Sequence, residues 1–224
     1  MAELYLVRHG QASFGSGNYD LLSEVGERQA VWLGEYFSQQ DARFDRVITG
    51  TMRRHRQTLD AIIQGLGYPV THIEQHAGLD EYDFDALFEA LGPEHGALKT
   101  LRHGSKSDFQ RGLRQVLKLW SEDRIDGPIP EAWASFEHRV SQARRAIQEG
   151  PGKRVLAVTS GGVMAVMAQQ SLRAPAETAI ALNMQVGNSS FCRIFFNERA
   201  WHLGSFNSDP HLDRVDRRRY QTYA

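Results

Sequence analysis

The sequence predicts a three-layer α/β/α sandwich around a mostly parallel sheet, with a closing hairpin and a helical insertion over the carboxyl ends of the strands. Three observations predict it. Short apolar runs each empty into a turn and then a helical pattern; two strand-like runs stand together near the end; and a long helical stretch between Asp83 and Gly152 interrupts that rhythm.

Taken in order, Leu4 to Val7 is a buried strand that empties into Arg8-His9-Gly10 and a polar, glycine-rich loop reaching Asn18. Ser23 is placed to cap a helix to Gln39, in which Ala30, Leu33 and Phe37 recur at three- and four-residue spacing. A second unit follows: Arg46 to Thr49 reads as a strand, Gly50-Thr51 as a turn, and Met52 to Leu66 as a helix with Leu59, Ile62, Ile63 and Leu66 on one side. Gly67 and Pro69 stop that helix.

The interruption is predicted as a helical cap over about residues 83–130, broken at Gly92-Pro93, His103-Gly104-Ser105 and Gly127-Pro128-Ile129-Pro130. Leu87 to Asp123 forms the excursion itself, and Glu131 to Glu149 is a helix returning to the sheet. Such an excursion over strand ends is where an α/β fold builds its pocket. Arg154 to Thr159 is the next strand, Ser160-Gly161-Gly162 a turn, and Val163 to Leu172 a nearly charge-free, hence buried, helix. Phe191 to Phe196 and Trp201 to Phe206 form the hairpin, and the arginine-rich stretch from Asp213 to Arg219 a solvated end.

The length of 224 residues fits one domain, residues 1–224, and 41% hydrophobic with 24% charged residues excludes collagen-like and disordered chains. A formal net charge of -1 provides no overall field for nucleic acid or anionic membrane, so neither is expected as a partner and any anion site must be local. Cys192 is the single cysteine, which excludes an internal disulfide and a Cys-rich zinc site and fits a reducing compartment. The opening residues, with Glu3 and Arg8, lack a signal-peptide pattern, and no apolar run approaches the roughly 20 residues of a membrane span, so a soluble cytoplasmic protein is expected. Exposed apolar residues of the edge hairpin leave a homodimer open.

Candidate chemistry collects at the strand ends. An arginine beside a histidine, as in Arg8-His9, can hold an anion while a neutral imidazole offers a lone pair, and Gly10 lets backbone N–H groups approach. In Arg53-Arg54-His55-Arg56, neighbouring helical positions splay about 100° apart, so the three arginines cannot share one anion, and no aromatic platform marks a nucleic-acid patch. His72, His76, His95, His103, His138 and His202 show no metal-ligand spacing backed by carboxylates; no metal and no cofactor are expected.

Beyond these patterns, Leu6-Val7-Arg8-His9-Gly10-Gln11 resembles the signature of the histidine phosphatase superfamily, which includes the phosphoglycerate mutases and many small-molecule phosphatases. The likeness continues through Asp20 to Ala30, Arg54-His55-Arg56-Gln57-Thr58 (the family's "RAxQT"), Leu79 to Phe84, Val155 to Gly162, and Asn188-Ser189-Ser190 with Asn207 and His211-Leu212. The resemblance implies that His9 takes the phosphoryl group, that Arg8 and Arg54 clamp its oxygens, and that Glu81 is the acid. Ser160 and Gly161 then complete the phosphate site, and the partner is a small-molecule phosphate ester or inorganic phosphate. Guanidinium forks suit phosphoryl transfer, which needs positioning and charge neutralisation more than covalent help.

Two positions depart from the pattern. Gly15 stands where many relatives have an asparagine, although Phe14 keeps the preceding aromatic residue, and Ser160 stands where the family usually has a second histidine. A serine hydroxyl would reach the phosphate through a water. His103 and His211 are candidates to reach the vacated place, and Ser160→His is expected to raise activity or leave it unchanged. Mutases carry an Arg-Arg pair in the excursion, whereas Arg102, Arg111, Arg114 and Arg124 are scattered here. The resemblance thus implies a metal-independent phosphomonoesterase acting through phosphohistidine. A weakened relative that binds a phosphorylated ligand or a protein, and a phosphoglycerate mutase, are the alternatives.

Overall fold

The computed structural model describes residues 1–13 and 20–223; Phe14, Gly15 and the rest of the expected loop to Asn18 lie outside the described residues. A six-stranded sheet organises the chain in the order β3-β2-β4-β1-β5-β6. Here β1 is Ala2–Arg8, β2 Arg46–Thr49, β3 Glu74–Gln75, β4 Arg154–Thr159, β5 Phe191–Asn197 and β6 Ala200–Ser208. The first four run parallel, and β5 and β6 close one edge as an antiparallel hairpin.

Alternation along the central strands explains the layers. Leu4 and Leu6 of β1 and Val155 and Ala157 of β4 face one core; Val7, Leu156 and Val158 face the other. Helices α1 (Glu24–Gln39) and α2 (Arg53–Leu66) cover the second face, burying Ala30, Leu33, Phe37, Leu59, Ile62 and Leu66. The expected cap Ser23 accepts a bond from Gly26 N–H at 3.1 Å. Against the first face pack α6 (Trp133–Glu149) and α7 (Gly161–Leu172), the latter buried on all sides from Gly161 to Gln169.

The excursion comprises α3 (Phe84–Glu89), α4 (Gly96–Leu101) and α5 (Lys106–Ser121). Its apolar stripe, Phe109, Leu113, Val116, Leu117 and Trp120, joins the α6–α7 core rather than forming one of its own. Two elements were absent from the sequence reading. β3 has two residues and no apolar run, and α8 (Ala176–Asn183) starts directly after Pro175, only three residues beyond the end of α7. No helix is long and apolar enough to cross a membrane among the described residues.

Candidate active site

Strand pairing builds the site. Because Arg8 of β1 lies in register with Thr159 of β4, the chain leaves the sheet at His9 and at Ser160 side by side, and His9 N–H donates to Thr159 O at 2.9 Å. On the other flank Ser189 N–H donates to His9 O at 3.1 Å. Gly10 is required by closeness: a Cβ there would stand 2.3 Å from Gly26 O, and Gly10 N–H donates to Thr58 Oγ1 at 3.0 Å.

These constraints fix the imidazole. Nδ1 of His9 lies 2.8 Å from Gly10 O, an acceptor only, so that nitrogen carries the hydrogen and Nε2 keeps its lone pair. Arg54 Nε donates to that lone pair at 3.3 Å. Burial first, then the Arg54 and Arg8 charges, holds His9 well below its ordinary pKa and therefore neutral. Asp20, which sequence reasoning did not single out as a site residue, aims Arg54: its carboxylate accepts from Arg54 Nη1 at 2.9 Å and from the N–H groups of Arg53 and Arg54, the first ones of α2. Arg53 and Arg56 point to solvent. Arg8 is 5% exposed and donates from Nη1 to Val186 O.

Glu81 completes the set. Its carboxylate accepts from Gly162 N–H near the start of α7 at 3.1 Å, and loss of water raises its pKa against the pull of Arg54 and Arg8. Arg8, His9, Arg54 and Glu81 line one cavity of about 50 Å³, walled by Phe84, Phe109 and Leu113 of the excursion and by Met184 and Val186. Tyr82, Gln110 and Asn183 supply its other polar groups, and Asn183 Nδ2 donates to Tyr82 Oη at 2.9 Å.

Ser160 and Gly161 stand beside this set, a Cβ on Gly161 falling 3.5 Å from Arg8 Nε. Neither is among the described residues lining the cavity. Ser160 is fully buried, with its Oγ 2.6 Å from Nε2 of His55. The imidazole facing Ser160 therefore comes from α2, not from His103 or His211. His211 instead pairs with Ser189 Oγ at 2.8 Å, and His103 follows α4 in the cap. A histidine at position 160 would set a second imidazole against that of His55. The missed signal was periodicity: His55 heads the stripe His55, Leu59, Ile62, Leu66, the buried face of α2. Among the described residues no cluster of three or more His, Cys, Asp or Glu side chains could hold a metal ion.

Comparison with known proteins adds to this geometry. The family profile of the histidine phosphatase superfamily (branch 1) matches residues 4–209. An uncharacterized phosphatase, PhoE, of Bacillus subtilis is 23% identical over 95% of this chain and 97% of its own length. A phosphoserine phosphatase of Entamoeba histolytica, solved as a mutant with phosphoserine, superimposes with a TM-score of 0.64 at 18% identity, over 95% of this chain and 100% of that one. A phosphoglycerate mutase of Bacillus anthracis gives 0.63 at 19% identity, over 94% of each chain.

Proposed function

The chain belongs to the histidine phosphatase superfamily, branch 1, and on that premise we propose that it is a metal-independent phosphomonoesterase acting through phosphorylated His9. One observation carries the reading: the unprotonated Nε2 of a neutral, buried His9 faces the cavity's guanidinium groups, with Arg54 Nε 3.3 Å away. A dianionic phosphoryl group would displace the Arg54 Nε contact and be gripped by Arg8 and Arg54, whose planar forks match its oxygens.

In the first step His9 Nε2 attacks phosphorus, the P–O ester bond breaks, and protonated Glu81 gives its proton to the departing alkoxide. In the second, Glu81 as carboxylate takes a proton from water, the hydroxide attacks phosphorus, and the P–N bond electrons return to Nε2 as orthophosphate leaves. General acid–base help of this kind is worth roughly 10²–10⁴-fold. The raised pKa of Glu81 favours the protonated carboxyl that the first half needs as its acid, and the Gly162 N–H holds the carboxylate that the second half needs as its base.

Hydrolysis is favoured over mutase chemistry by the cap. Arg102 is paired with Asp85 and Glu89, Arg111 with Asp108 and Arg124 with Glu122, and none of the three, nor Arg114, lines the cavity. The cavity's apolar side walls suit a small phosphate ester without a second anionic group. The test is hydrolysis of an aryl phosphate with chelator present. Turnover that survives chelator and vanishes in His9→Ala is expected, and wild-type turnover by His9→Ala would overturn the reading.

A further inference from the structure

Beside His9 lies a second polar chain that the mechanism above does not use, buried at Ser160 and His55 and reaching the surface through Asp80 and Thr51. His55 is fully buried, its ring centroid 5.8 Å from that of His9. Nε2 reaches Ser160 Oγ at 2.6 Å, and Nδ1 lies 3.6 Å from Asp80 Oδ1. Asp80 is itself fixed by Thr51, whose N–H donates to Oδ1 at 2.6 Å and whose hydroxyl donates to Oδ2. The chain turns past this pair at Gly50, where a Cβ would stand 2.2 Å from His55 Nδ1 and 2.6 Å from Asp80 Oδ1. The hydroxyl satisfies Nε2, but Nδ1 is buried with no hydrogen bond, the carboxylate standing just out of reach, and an unsatisfied buried polar atom of this kind costs free energy.

We propose that Asp80, His55 and Ser160 form a relay that positions and polarises the Ser160 hydroxyl toward the phosphoryl group on His9, making His55 a positioning residue for the transfer step. Ser160 leaves β4 beside His9, and two residues on, Gly162 N–H holds Glu81, so the relay ends next to the site; the Ser160 hydroxyl, buried outside the cavity in the free protein, turns toward the phosphoryl group when that group binds. When the dianion binds, His55 takes up a proton from solvent. Nδ1–H then points at Asp80, Nε2–H donates to Ser160 Oγ, and the Ser160 hydroxyl donates to a phosphoryl oxygen. No bond to phosphorus is added or broken by the relay.

The groups facing His55 set the balance. Burial and Arg54 on its own helix favour neutrality, while Asp80 and Asp20 favour the charge, and the neutral His9 ring beside it adds no charge. An added dianion shifts that balance toward imidazolium.

The inference rests on the proposed phosphatase reading, and its test separates the two. Wild type, His55→Ala, His55→Gln, Ser160→His and the double variant His55→Ala/Ser160→His are compared for aryl phosphate turnover and melting temperature. Loss of one preorganised donor is expected to lower kcat of His55→Ala about 10²-fold with a smaller change in KM. Ser160→His should lose as much. The double variant should exceed both single variants by about tenfold or more, since one imidazole then occupies the space of two. Inorganic phosphate binding, measured by calorimetry in buffers of different ionisation enthalpy, should show proton uptake that His55→Gln lacks. His55→Ala turnover within about threefold of wild type, a double variant no better than Ser160→His, or equal proton uptake by His55→Gln each overturns the relay alone. A wild type that neither turns over nor binds phosphate overturns the phosphatase reading and the relay with it.

Discussion

His211 offers a stability prediction whose size follows from its surroundings. The side chain is 2% exposed, bonded through Nε2 to Ser189 Oγ, and Ser189 N–H in turn supports His9 O. Burial, with the Arg217 charge nearby, depresses its pKa from an ordinary 6.5 to about 3. A histidine whose folded pKa lies below its unfolded value binds more protons when unfolded, so stability falls as pH drops below the unfolded value, until the folded pKa is reached. Between those limits the slope is about 1.4 kcal/mol per pH unit, which works out to about 2 kcal/mol lost at pH 5 against about 0.2 at pH 7. His9 and His55 titrate in the same direction, so wild type alone does not isolate the effect. His211→Gln, which keeps a polar atom near Ser189, does. Urea unfolding of both proteins at the two pH values should show the gap between them shrinking by about 2 kcal/mol on acidification, or a relative shift of about 4–8 °C in melting temperature. Parallel losses in the two proteins would refute the assignment of His211 as a buried neutral imidazole.

Glu81→Gln removes the acid and should lower kcat roughly 10²–10⁴-fold. In wild type kcat/KM should fall as pH rises through the raised pKa of Glu81, and a pH profile of the variant's residual activity should lack that limb. Asp20→Asn loses the carboxylate bonded to Arg54 Nη1 at 2.9 Å. Its kcat/KM should drop about tenfold with little change in melting temperature, because Asp20 is partly exposed while Arg54 works in the cavity.

The sheet and its flanking helices were legible because their apolar residues recur at strand and helix periods over enough positions to be read. β3 was not, since Glu74–Gln75 is a strand only through its pairing with Ile48 and Thr49. His9, Arg8, Arg54 and Glu81 were legible as an ordered set of motifs around a strand end, and the structure brings them into one cavity. Asp20 and His55 were not, for different reasons. Asp20 acts across sequence on the first turn of α2, which no local pattern encodes. His55 was hidden among arginines whose charge suggested surface, although its four-residue spacing to Leu59 put it on the buried face. Ser160 looked like a missing histidine when considered alone; with His55 in place the same position is one end of a pair.

The central claim is the covalent one, and it is tested most directly by trapping. Protein quenched into alkali during aryl phosphate turnover, where phosphohistidine survives, is digested and its peptides weighed. A phosphoryl adduct on the peptide bearing His9, absent from His9→Ala and lost on acid treatment, is the predicted result. Steady turnover with no adduct at His9, or an adduct on another residue, would contradict the account.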